Sequence, residues 1–214
     1  MCTFASRIIQ NYIDMRRLIT LITLVFVLTI QAQDRPVPTP NNQQHMKFMG
    51  MKMGGDLSTF VNKLKQKGFK EDYTNSNKKA TLLMGKFAGY DDCMLMVYPN
   101  SENNVYLVGV VFPFQESWSN LYSNYISIKN MLITKYGKPT ECVEEFDTLY
   151  EPSDDKDRMY QTKMERCKYK TSFDFHEGKI IENISVAEMD CYVSLLYADE
   201  IGYKVNNESA IDDL

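Results

Sequence analysis

Hydrophobic and polar positions along this chain recur with two periods, and the places where one gives way to the other mark its elements. Leu57, Phe60, Val61 and Leu64 recur at helical spacing behind Asp56, whose side chain can cap a first turn. Gly68 offers a left-handed stop and Phe69 a hydrophobic contact beyond it, so a helix is expected between Asp56 and Gly68. Met46 to Met53 reads as a short strand-like lead that Gly54-Gly55 turn into this helix. Three strands are expected after it: Ala80 to Ala88, Cys93 to Tyr98 and Val105 to Phe112. Gly89-Tyr90-Asp91-Asp92 and Pro99-Asn100-Ser101 mark the turns between them.

The strongest helical stripe opens the second half. Trp118, Leu121, Tyr122, Tyr125, Ile128, Leu132 and Tyr136 fall on one face from about Ser117 to Tyr136. Lys135 suits the negative end of the helix dipole, Gly137 the cap, and Pro139 blocks continuation. A strand is expected from Glu141 to Tyr150, then a solvated acidic loop from Glu151 to Asp157. A strand from Arg158 to His176 follows, with Cys167, Tyr169, Thr171, Phe173 and Phe175 alternating onto one face. Glu177-Gly178 turns into Lys179 to Ala187, and Met189-Asp190 leads into Cys191 to Tyr197.

Each half thus runs helix, glycine stop, antiparallel meander. The pattern predicts an α+β fold of two tandem helix-plus-meander units, residues 46–115 and 116–205, each helix packed on a sheet. A single helix-and-sheet roll without duplication is the alternative.

The flanks change the picture by placing the protein. Arg16 and Arg17 precede an unbroken apolar run, Leu18 to Ile30, and Ala32 is a small residue suited to a signal peptidase. As helix this run spans about 20 Å, short of a hydrocarbon core of roughly 30 Å, so residues 1–32 read as a cleaved signal peptide with Met15 as the true start. No cysteine follows the run, so no lipid anchor is expected, and the mature chain should be periplasmic or secreted without a stable membrane anchor. Residues 33–45, with Pro36, Pro38 and Pro40, read as an extended linker, and residues 206–214 as an acidic tail.

The formal net charge of −4 becomes more acidic once Arg7, Arg16, Arg17 and Asp14 leave with the signal. Nucleic acid is therefore excluded as a partner, since phosphate neutralisation needs a basic face. Cys93, Cys142, Cys167 and Cys191 remain, an even set in a compartment that permits disulfides; they are either paired or small buried hydrophobes. No CxxC or Cys/His spacing suggests zinc.

His45-Met46-Lys47-Phe48-Met49-Gly50, Phe60 to Phe69, Gly85 to Tyr90, Trp118 to Pro139 and the closing Asp212-Asp213-Leu214 give the chain a likeness. It resembles a family of secreted proteins of gut Bacteroidetes that has no assigned activity. Its tandem helix-and-meander plan is similar to that of β-lactamase-inhibitor-like proteins and small outer-membrane assembly lipoproteins, an analogy of architecture that carries no function.

Candidate chemistry is sparse. His45 and His176 lack a ligand or nucleophile at a telling spacing, and both read as solvated or capping residues. The pairs Asp91-Asp92, Glu144-Glu145 and Asp154-Asp155 sit in or near turns, and Glu151 to Asp157 lacks the alternating ligands and glycine of a calcium loop. Gly85 to Gly89 leads into a strand and turn, unlike a phosphate cradle. No catalytic residue, metal site or cofactor is therefore expected. The 14 tyrosines, 11 phenylalanines and 13 methionines point instead to recognition, with Tyr90, Phe112, Phe114 and Trp118 as candidate binding residues; the helical spacing favours core-facing positions for Trp118, Tyr122 and Tyr125, which leaves Phe114 as the member expected to be exposed. The expectation is an exported, non-catalytic module that binds a protein or envelope component; the alternative is a secreted hydrolase whose carboxylates converge only in the fold.

Overall fold

A computed structural model describes residues 44–73, 80–149 and 151–205, which belong to one compact unit, Gln43–Leu214. The segments expected to be a signal peptide (residues 1–32), most of the linker (to residue 43) and the acidic tail (206–214) lie outside the described residues.

The lead into the first helix is a hairpin rather than one strand. Strands β1 (Lys47–Phe48) and β2 (Met51–Lys52) pair across Met49 and Gly50, whose φ of 50° and 79° make the tight turn that matches strand twist. Helix α1 (Leu57–Gln66) starts where the Asp56 carboxylate accepts the Thr59 N–H at 3.0 Å. It ends as the glycine stop requires. Gly68, at φ 97°, donates to the Lys65 carbonyl and Phe69 to the Leu64 carbonyl, while Phe69 and Leu64 are both buried. Strands β3 (Lys70–Glu71), β4 (Thr81–Phe87), β5 (Tyr90–Pro99) and β6 (Val105–Val111) follow; the short β3 was not foreseen.

Helix α2 (Trp118–Tyr136) buries Trp118, Leu121, Tyr125, Ile128 and Leu132, while Tyr122 reaches its rim. The Ser117 hydroxyl caps it, and the Asp155 carboxylate accepts the Ser119 N–H at 2.6 Å. Next come β7 (Glu141–Phe146), α3 (Asp155–Lys163), β8 (Cys167–Phe175), β9 (Gly178–Ala187) and β10 (Asp190–Asp199), and residues 200–205 are helical.

Helix α3 corrects two expectations, because the strand expected from Arg158 starts only at Cys167 and the acidic loop is not merely solvated. Asp154 caps α3 by accepting the Asp157 N–H at 2.9 Å, and Asp155 and Asp157 sit at the positive end of its dipole. Met159 and Thr162, three residues apart, are its buried positions. Strand-like alternation is present only from Cys167 onward.

All eight principal strands form one antiparallel sheet in the order β3-β4-β5-β6-β10-β9-β8-β7, with β6 and β10 paired at its centre. Register places Leu83, Leu95, Val110, Leu195, Glu182, Thr171 and Cys142 in one row straight across β4 to β7. This row lies on the core face with Phe60, Leu64, Leu121 and Ile128 of the helices. Burial of each large apolar side chain here contributes roughly 1.5–3 kcal/mol, so the helix–sheet layer is what holds the fold.

Candidate functional site

The four aromatic candidates do not share a surface. Phe112 is buried against Phe87 and Tyr90, with ring centroids 6.0 and 5.2 Å away, so Tyr90 serves as its cover. Trp118 is buried too, stacked on Tyr122 and edged by Phe146 and Tyr169, both at 5.0 Å. Phe114 is the member that reaches solvent, 57% exposed in the segment between β6 and α2, with its ring 5.5 Å from that of Tyr192.

Tyr192 belongs to the sheet face that carries none of the described helices. Register puts Leu82, Met96, Gly109, Leu196 and Ile181 in one row of this face, and Met84, Met94 and Val111 in the next. A Cβ at Gly109 would lie 3.1 Å from the Met96 methyl, so the missing side chain is what lets Met96 lie flat across the strand. These apolar side chains, apart from Val111 and Gly109, stay partly exposed. Towards β8 and β7 the same rows become Ser172 and Glu141, then Asn183 and Lys170, with Lys170 paired to Glu141 at 2.7 Å. The open face is therefore mostly apolar over β4, β5, β6 and β10, where Ser194 interrupts it, and mostly polar over β8 and β7, where Val143 is the exception.

Under α2 the core face holds a polar cluster that sequence reasoning missed. Glu182 is completely buried, and neither carboxylate oxygen has a hydrogen-bond partner among the described residues. Burial pushes its carboxyl up to about 9, against the countervailing charge of Lys129 and with help from Glu144. The group is accordingly a neutral acid at pH 7. Beside it the Tyr125 and Thr171 hydroxyls bond at 2.6 Å, while Lys129 pairs with Glu144 at the solvent edge. A signal was present: Ile180, Glu182 and Ile184 alternate in one phase, which places an acid on an apolar face.

His45 is engaged rather than solvated. Its Nδ1 lies 2.9 Å from Asp199 Oδ2, and fully buried Asp199 also accepts the Met46 N–H at 2.7 Å and the Gly202 N–H at 2.9 Å. One carboxylate thus ties the lead hairpin to the last strand. Gly54 backs the ring, since a Cβ there would stand 2.1 Å from it. His176 stays exposed in the β8–β9 turn.

Cys93, Cys142, Cys167 and Cys191 are unpaired in the structure. Cys93 and Cys191 are buried in the core, and burial raises the Cys93 thiol to about 11. Continuing the strand registers puts Cys167 and Cys191 on either side of Val186, two strand spacings or about 9–10 Å apart, beyond the roughly 7 Å that a disulfide spans. Cys142 is exposed on edge strand β7.

Among the described residues no group of three or more His, Cys, Asp or Glu side chains is arranged to hold a metal ion, and no helix is long and apolar enough to cross a membrane. The acid pairs have structural partners: Asp91 pairs with Lys86, Glu144 with Lys129, and Asp154 and Asp155 cap helices. Comparison with known proteins finds no family model, no curated protein and no solved structure that matches this chain.

Proposed function

We propose that this chain is an exported binding module that engages another protein through the apolar half of its open sheet face. The observation that carries the reading is the pair of rows Leu82–Met96–Gly109–Leu196–Ile181 and Met84–Met94–Val111, flanked by Phe114 and Tyr192. A broad sheet surface suits a protein partner better than a small molecule, which needs a concave site. Methionine adds adaptability to such a surface. Export rests on the Arg16-Arg17 and Leu18–Ile30 pattern, and the resemblance to secreted Bacteroidetes proteins points the same way.

The two halves are further proposed to be copies of one helix-plus-meander unit. The strand order, read outward from the β6–β10 pair, supports this because the last strand of each meander lies at the centre and the first at an edge.

The test is affinity capture from envelope extract with the mature chain and its Met96→Lys and Leu196→Lys variants. A protein should co-purify with the wild type and be lost from both variants while their thermal unfolding stays cooperative. Capture that is unchanged by the two lysines would sink the reading. Association of the chain with itself, seen by light scattering and abolished by the same lysines, would replace the partner with a second copy. Mass spectrometry of the exported protein should find an N-terminus near Gln33.

A further inference from the structure

Away from the sheet face, the lead hairpin, the last turn of α2 and the β8–β9 turn enclose a cleft of about 310 Å³, within the size range of small-ligand sites. Its apolar wall is aromatic: the Tyr136 and Phe175 rings lie 5.4 Å apart at 56°. Lys135 places its Nζ 4.8 Å from the centre of the Tyr136 ring, held there by the attraction of the cation for the π face. Lys47 lines the cleft from β1, and among the described residues neither lysine has a carboxylate partner within ion-pair distance.

His45 lines the same cleft with its ring immobilised. Nδ1 is committed to buried Asp199, Gly54 backs the ring, and Nε2 has no hydrogen-bond partner among the described residues. The ring is 23% exposed, so it is reachable yet held in place by a carboxylate behind it. Against these three nitrogen-bearing side chains the lining sets one carboxylate, Glu177. The chain as a whole carries net charge −4, and in this cleft two lysines stand without ion-pair partners among the described residues.

We propose that this cleft binds a small monocarboxylate with an apolar or aromatic body. The carboxylate sits between Lys47 and Lys135, and the body lies on Tyr136 and Phe175. Flat apolar surface gives affinity, and charge-assisted hydrogen bonds from the lysines select the anion. The site is separate from the sheet face, so it stands or falls independently of the partner surface.

Titration of the mature chain with phenylacetate, followed by NMR or calorimetry, tests this. A ligand of that size should bind saturably with Kd on the order of 1 mM. The neutral isostere phenylacetamide and the cation phenethylamine should each bind at least about fivefold more weakly. Lys135→Gln and Lys47→Gln, both at exposed positions, should each weaken phenylacetate by about fivefold and leave the unfolding temperature unchanged. Absence of saturable phenylacetate binding, or equal binding of the amide, would overturn the proposal. Tighter binding of phenethylamine would overturn it too, by showing that Glu177 sets the preference.

Discussion

Glu182→Leu removes the one buried carboxylate that lacks a hydrogen bond among the described residues, and the size of the effect can be worked out. Its carboxyl is raised from an ordinary 4.5 to about 9 by burial. Between those values the folded chain keeps a proton that the unfolded chain releases. Stability from this group is therefore complete below pH 4.5 and is lost as pH rises towards 9. Each pH unit in that window is about 1.4 kcal/mol, so at pH 7 the cost is about 3 kcal/mol, and between pH 5 and pH 8 the wild type loses about 4 kcal/mol through Glu182. Leucine has similar volume and no proton to lose. Whatever difference in packing it introduces is the same at both pH values and cancels, as do all other titrations common to the two proteins. Urea unfolding at pH 5, 6, 7 and 8 should show the variant's advantage growing by about 4 kcal/mol across the series, or roughly 10 °C in unfolding temperature. An advantage that stays constant or shrinks with pH would refute the reasoning, because it would mean that Glu182 is ionised in the fold and paired with Lys129.

Three further outcomes are expected. Glu165 and Met189 hold φ of 57° and 73°, so Glu165→Gly and Met189→Gly should each raise stability by about 1 kcal/mol in thermal unfolding. Asp199→Asn keeps the shape but turns an amide donor towards groups that already donate, so urea unfolding should register a loss of about 3 kcal/mol. A thiol reagent should label Cys142 quickly in the folded chain and Cys93, Cys167 and Cys191 only on unfolding, since burial raises the last three thiols; rapid labelling of Cys93 or Cys191 would contradict their placement in the core.

Both long-range helices were legible because their signals are local. Asp56, Gly68 and Phe69 bracket α1, and Ser117, Gly137 and Pro139 bracket α2, each through contacts within one turn of the helix end. Strands β4 to β6 and β8 to β10 were legible through alternation, with ends off by one to a few residues where Ala88-Gly89 turned earlier than the Asp91-Asp92 pair suggested. Helix α3 was hidden because Asp154, Asp155 and Asp157 look like a solvated run until their capping partners are known, and the partner of Asp155 is on another helix. The sites depend on still longer range. Nothing local ties His45 to Asp199, and although the helical spacing of the α2 stripe already favoured a core-facing Trp118, it could not say that Phe146 and Tyr169 would enclose it. Glu182 could have been found, because the alternation that defines β9 already assigned it to the covered face.

The two halves of the sheet distribute polarity in opposite ways. In β4 to β6 the core row is Leu83, Leu95 and Val110, and the open face behind it is Leu82, Met96 and Gly109, so this half is apolar on both sides. In β9 to β7 the core row carries Glu182, Thr171 and Cys142, while the open face carries Ser172, Lys170 and Glu141 with their own ion pair. A sheet apolar on both faces is ordinarily covered on both, as one solvated face would otherwise alternate with polar residues. The described elements cover only the core face of the first half, whereas ion pairs already equip the open face of the second for water. If the open face serves a partner, the load must therefore fall on β4, β5, β6 and β10. Lysine at Met94 should then disturb capture as Met96→Lys does, and Lys170→Ala or Asn183→Ala should leave it intact. Equal loss from both sets of variants would place the partner elsewhere and leave the apolar half without an occupant.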